Sequence, residues 1–210
     1  MFMGKPIIGL AGGIGSGKSR IAQFFGEFGC LVLDADAQVR ALYRDPRVLK
    51  TLASWWGQAV FTPTGEVDRA AVARKVFGDP AERRRLEQLL HPLVTQQRDE
   101  AMRAASNDPG VVGYVWDIPL LFENGLDGQC DAIVFVDAPP EVRLERVRAT
   151  RGWTSEQWAE REKLQLPLDK KEEISDYVVR NSADASYARS QVREILSRIL
   201  SDLSGRPNRD

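Results

Sequence analysis

The chain is short of several things that would have directed its reading elsewhere. It has only two cysteines, Cys30 and Cys130, far apart and outside any C-x-x-C pattern. That argues against a disulfide framework and a structural zinc site and fits a reducing compartment; both thiols are expected to be small buried hydrophobes. A single histidine, His91, leaves no material for a histidine-based metal cluster. Neither sign of charge prevails, since 29 Lys+Arg stand against 30 Asp+Glu for a net charge of -1. No bulk positive field therefore argues for nucleic acid. No apolar run reaches the roughly 18 residues a membrane span needs, and the first apolar segment follows Met1 too closely to leave room for a signal peptide. The expectation is a soluble cytoplasmic protein that binds neither membrane nor nucleic acid. Composition leaves the oligomeric state open.

What is present is a nucleotide loop. Gly12-Gly13-Ile14-Gly15-Ser16-Gly17-Lys18-Ser19 matches G-x-x-x-x-G-K-[ST]. An apolar run, Pro6 to Ala11, reads as a buried strand before it, and Arg20 to Phe28 reads as an amphipathic helix after it. Glycines let the backbone turn tightly and point successive N–H groups inward, on the positive end of the next helix. The main chain from Gly13 to Ser19 is thus a candidate cradle for a nucleoside triphosphate. Lys18 would reach the outer phosphates, and the Ser19 hydroxyl would take one position on Mg2+.

At 210 residues the chain suits one α/β domain with insertions. Cys30 to Leu33 reads as a second strand, ending in Asp34-Ala35-Asp36. Carboxylates there face the crevice in which open α/β sheets bind ligands, although Asp is equally a common helix cap. From Ala37 to Ser106 the pattern is helical, with Asp68 as a cap and Asp79-Pro80 opening a helix that His91-Pro92 should interrupt. Arg83-Arg84-Arg85 reads as a solvated helix face. Val111 to Trp116 reads as a third strand, and the Asp117 that follows resembles a Walker-B carboxylate able to serve magnesium. A fourth strand, Ala132 to Val136, leads to a helix from about Glu141 that carries Arg143, Arg146, Arg148 and Arg151. Thr154-Ser155-Glu156 starts a helix from Gln157 to Gln165. These arginines suit a lid over transferring phosphate, though the interspersed glutamates would also make an ordinary salt-bridged surface. Tyr177 to Val179 is the fifth strand, a helix follows from about Tyr187 to Leu203, and the polar tail from Ser204 to Asp210 should fray.

A phosphate loop does not say what becomes of the terminal phosphate. A GTPase needs N-K-x-D, and Asn181-Ser182-Ala183-Asp184 keeps only the outer two letters. A kinase needs an acceptor pocket, a base and a closing element. The helical segment after the second strand, Asp36 and the arginine segment are candidates for the three. Another nucleotide or nucleoside kinase, or a slowly hydrolysing regulatory module, would share these parts.

Taken together, Gly9 to Ser19, Asp34-Ala35-Asp36 with Arg40, His91-Pro92, Pro119-Leu120-Leu121-Phe122-Glu123, and Asp176 with Asn181 resemble the dephospho-coenzyme A kinase family, in its order and over nearly the whole chain. The resemblance implies transfer of the γ-phosphoryl of ATP to the 3′-hydroxyl of dephospho-CoA. It implies Asp36 as the carboxylate that accepts the hydroxyl proton, and Lys18 with Arg146 as the cations bracketing the phosphoryl. Arg151 and Asn181 resemble positions near ATP, and Ser19 with Asp117 would serve magnesium. Asp36, Arg40, His91, Leu121 and Glu123 fall on the acceptor side. The implied fold is a P-loop NTPase with about five parallel strands flanked by helices. Residues 1–36, 110–142 and 174–210 would form the nucleotide core, 37–109 the helical acceptor part and 143–173 the lid. Two departures stand out. Ala11 replaces a common threonine, and the lid stretch Arg161 to Leu168 carries charges where small residues are common.

Overall fold

The computed structural model describes residues 1–182 and 184–204; of the tail expected to fray, the part beyond Ser204 lies outside them. Five apolar runs become strands: β1 (Ile7–Ala11), β2 (Cys30–Asp34), β3 (Gly113–Asp117), β4 (Ala132–Asp137) and β5 (Tyr177–Arg180). All pair in parallel in the order β2-β3-β1-β4-β5. β1 and β3 are buried along their whole length, as expected where both faces of a parallel sheet are covered. The third strand thus begins and ends slightly later than Val111 to Trp116, taking in Asp117.

Helix α1 (Lys18–Glu27) follows β1 directly, and α9 (Ala185–Ser204) closes the described chain. Ile21, Ala22, Phe24 and Phe25 of α1 join Ala188, Val192, Ile195 and Ile199 of α9 and the strand residues Ile8, Leu10, Val134 and Val179 in one apolar core. β1 is central. The chain leaves it toward β2 on one flank, whereas β4 on the other leads to β5, and an open sheet binds ligands where its connections diverge in this way.

The chain divides into two compact units, Met1–Asp34 with Met102–Asp210, and Ala35–Ala101. The second unit is helical, built from α2 (Ala35–Leu42), α3 (Pro46–Trp56), α4 (Arg69–Phe77) and most of α5 (Pro80–Ala104). Its own core is Leu42, Val48, Leu52, Val60, Ala71, Val72, Leu86 and Leu90. Asp68 accepts from the amides of Ala70 and Ala71, and Asp79 from those of Ala81 and Glu82, so both helix starts are capped. The expected interruption at His91-Pro92 does not occur, because α5 runs through Pro92 without a break. Leu86 and Leu90 lock the preceding turns into the unit's core, and that burial outweighs the one backbone hydrogen bond proline removes. Arg83, Arg84 and Arg85 lie on an exposed face, where Arg83 pairs with Glu87 and Arg85 with Glu82.

Three further helices complete the first unit: α6 (Pro140–Arg151), α7 (Ser155–Glu162) and α8 (Leu168–Glu173). The start of α7 is a full capping box between Thr154 and Gln157. Cys30 is buried, and burial pushes its thiol up to about 12, so it behaves as an inert hydrophobe. Cys130 corrects the expectation. It is only half-buried, because it sits in the loop entering β4, with its Sγ 3.6 Å from Leu126 O.

Candidate active site

The loop from Gly12 to Ser19 is shaped by positive backbone angles and close packing. Gly15 and Gly17 have φ of 84° and 88°. A Cβ on Gly15 would lie 2.9 Å from Val147 Cγ2, and one on Gly17 would strike the Asn181 amide nitrogen. Only glycine meets both demands. Gly17 opens α1 without a side-chain cap, and no acidic residue stands in its first turn. The amides at this positive helix end are left for an external anion. Phosphate fits that cradle.

Lys18 turns onto the loop, its Nζ 3.1 Å from Gly12 O and 3.4 Å from Gly13 O. Burial pulls its pKa from 10.5 down to about 8; Asp117 and Glu123 oppose the shift, and Lys171 and Arg151 reinforce it. Asp117, Glu123, Lys171 and Arg151 are thus near enough for their charges to act on the loop lysine. Asp117 ends β3, buried, in register with Asp34 at the end of β2. A serine hydroxyl in the first turn of α1 and this carboxylate are hard oxygen donors of the kind magnesium takes.

Arg146 and Asn181 hold the loop from outside. Arg146 donates to the carbonyls of Ser16 (3.1 Å), Asn181 (3.1 Å) and Ser182 (2.6 Å), and Asn181 donates to Ser16 O at 2.7 Å. The Ser16 hydroxyl itself is buried without a hydrogen-bond partner among the described residues. Arg151 lies over the Trp153 ring, whose centroid is 4.9 Å away, while Arg161 is 4.2 Å from that centroid.

Glu123 joins the loop after β3 to the segment following α7. It accepts from Leu166 N at 2.9 Å and pairs with the buried Lys171 at 2.8 Å. Burial alone would raise its carboxyl, but the bonds from Lys171 and Leu166 hold it below its ordinary value. Leu121 is buried and abuts Gly9, where a Cβ would lie 2.7 Å from its Cδ2; it supports β1 from beneath. Asp36, Arg40 and His91 belong to the helical unit. Asp36 and Arg40 stand one turn apart on α2, both exposed, and His91 is exposed on α5.

Sequence reasoning left Trp158 and Lys171 without roles, counted Glu162 only as part of the charged stretch, and grouped Arg143 with the other arginines of its helix as candidates to close over phosphate. Arg143 is buried in α6, pairs with Glu162 and donates to Ala138 O and Ile14 O. Glu162 accepts from Ile14 N, and Trp158 Nε1 donates to Ile14 O. The only sign of this in the sequence was the unusual charge of the lid stretch.

A parallel sheet with a glycine cradle, lysine and serine following its central strand defines a P-loop nucleoside-triphosphate-binding fold of the kinase type. The dephospho-CoA kinase family model matches residues 6–186. A dephospho-CoA kinase from Nitrobacter winogradskyi is 39% identical over 91% of this chain and 94% of its own length. One from Deinococcus radiodurans is 41% identical over 91% of each. A crystal structure from Thermus thermophilus superposes with a TM-score of 0.77 at 33% identity, covering 96% of this chain and 99% of that one. The chain belongs to the dephospho-CoA kinase family.

Proposed function

We propose that the chain transfers the γ-phosphoryl of ATP to the 3′-hydroxyl of dephospho-CoA, the final step of coenzyme A synthesis. The observation that carries this is a single family match over residues 6–186, running unbroken from the cradle through the helical unit to the lid. In this reading the 3′-hydroxyl gives its proton to the Asp36 carboxylate. Its oxygen bonds to the γ-phosphorus as the bond to the ADP oxygen breaks.

Lys18 and the amides of Gly13 to Ser19 hold the phosphates, with Arg151 and Asn181 beside the nucleotide. Arg146 brackets the migrating phosphoryl with Lys18 by exchanging one of its carbonyl contacts. Ser19 and Asp117 would hold Mg2+, which when bound would neutralise charge on the phosphate oxygens. We assign residues 1–36, 110–142 and 174–210 to the nucleotide part and 37–109, with Arg40 and His91, to the acceptor part. Residues 143–173 are assigned to the lid. Leu121 and Glu123 are placed on the acceptor side, where Glu123 anchors the segment after α7. The unbridged thiols of Cys30 and Cys130 suit a cytoplasmic setting.

The test offers ATP and magnesium with dephospho-CoA beside nucleoside monophosphates. Preferential phosphorylation of dephospho-CoA is expected; preference for a monophosphate would move the chain to another kinase specificity.

A further inference from the structure

The main chain of Ile14, inside the phosphate loop, is held at both its N–H and its carbonyl by side chains of α6 and α7. Its N–H donates to Glu162 Oε1 at 3.3 Å, and its carbonyl accepts from Trp158 Nε1 at 3.3 Å and from Arg143 Nη1 at 3.4 Å. Arg143 also forms an ion pair with Glu162 and lies 4.9 Å from the Trp158 ring centroid. The approach is close enough that a Cβ on Gly13 would come 3.0 Å from Glu162 Oε1. A carboxylate therefore sits on an amide of a loop whose inward amides suit anions.

The two members of the ion pair differ in what they can do. Arg143 is 4% exposed and its Nε is committed to Ala138 O, whereas Glu162 is 22% exposed and ends a short helix, α7, that buries no residue. Glu162 can move to water once another anion takes its place on Arg143. Arg143 cannot, and its buried guanidinium needs an anion at all times.

We propose that Glu162 is an internal stand-in for a nucleotide phosphate, seated on the Ile14 amide and neutralising Arg143, and that an arriving phosphate displaces it and takes Arg143 as a further cation. Arg143 then changes partner without ever being left unpaired. Lys18 behaves in parallel, since its ammonium rests on the loop's own carbonyls. The inference builds on the reading of the loop as an ATP site and gives that site a competing occupant from its own lid.

The test is calorimetric binding of ADP and of pyrophosphate, without acceptor, to wild type, Glu162→Gln, Arg143→Met and the double variant. Glutamine keeps an acceptor for Ile14 N–H and removes only the charge. Glu162→Gln should bind both probes about tenfold tighter, as expected when a like charge beside the site is removed. Arg143→Met should bind them more weakly, and the double variant should lose the gain. Unchanged or weaker binding by Glu162→Gln would overturn the proposal, as would a gain that survives without Arg143. Should Glu162→Gln fail to fold, wild type still decides. ADP should alter a tryptophan emission component that is missing in Trp158→Phe, and an unaltered Trp158 signal would refute displacement. Acceptor phosphorylation measured alongside separates the two readings: normal ADP binding with no phosphorylated dephospho-CoA would remove the proposed function and leave this inference standing.

Discussion

Two sets of side chains hold the phosphate loop from outside, and they differ in charge. At Ser16, Arg146 and Asn181 donate to a neutral carbonyl. At Ile14, Arg143 and Trp158 do the same, but Glu162 adds an anion on that residue's own N–H. Phosphate binding has no electrostatic quarrel with the first set: Arg146 can give up one carbonyl to meet the phosphoryl while Asn181 stays on Ser16 and keeps the loop in shape. It competes directly with the second. On the proposed displacement, one end of the loop keeps the neutral Asn181 contact when phosphate binds, and the other end exchanges an anion for it. If Glu162 is displaced as proposed, the cradle stays preformed while the segment bearing Glu162 responds to occupancy.

Asp36→Asn sets the scale against which both grips are measured, because it alters neither. Turnover should fall about a thousandfold, the range of a general base, while calorimetric ATP affinity stays close to wild type. Near-normal turnover would remove Asp36 from the chemistry. Arg146→Ala breaks the Ser16 grip. A fall in kcat of about a hundredfold, well above any loss of ATP affinity, is the expected signature of a contact strongest in the transition state. Equal losses in both would reduce Arg146 to holding the loop.

The gentlest probe is pH. Lys18 has a pKa of about 8 because of burial, with Lys171 and Arg151 adding to the fall and Asp117 and Glu123 opposing it. Bound phosphates favour the ammonium, so nucleotide binding should take up a proton above pH 8. ATP affinity should then drop by up to about tenfold per pH unit. Below about pH 7 the lysine is already charged, and no Lys18-linked uptake is expected. The same group makes folding stability rise with pH between about 8 and 10.5, since there the unfolded chain holds the extra proton. Titrations in buffers of different ionisation enthalpy, with Lys18→Met as reference, check the binding linkage; uptake that persists in that variant would assign the proton elsewhere.

The cradle was legible in the sequence because its chemistry is carried by main chain. Glycine spacing between an apolar run and a helix encodes it locally, and β1, the loop and α1 follow within 21 residues, from Ile7 to Glu27. The place of Asp117 was legible locally too, as the polar residue ending a buried strand. Local rules failed where tertiary packing decides. Pro92 sits inside α5 because Leu86 and Leu90 are held in a core. The Glu162 contact joins residues 148 positions apart, and no periodicity encodes such a pair. Arginines along α6 look alike in sequence, yet Arg143 is buried whereas Arg148 and Arg151 are exposed.

The most direct measurement is phosphorus NMR and mass analysis of the nucleotide products after incubation with ATP, magnesium and dephospho-CoA. A new phosphomonoester on the 3′-oxygen, appearing in step with ADP, is the expected result. ADP released with inorganic phosphate and an unmodified acceptor would contradict the assignment.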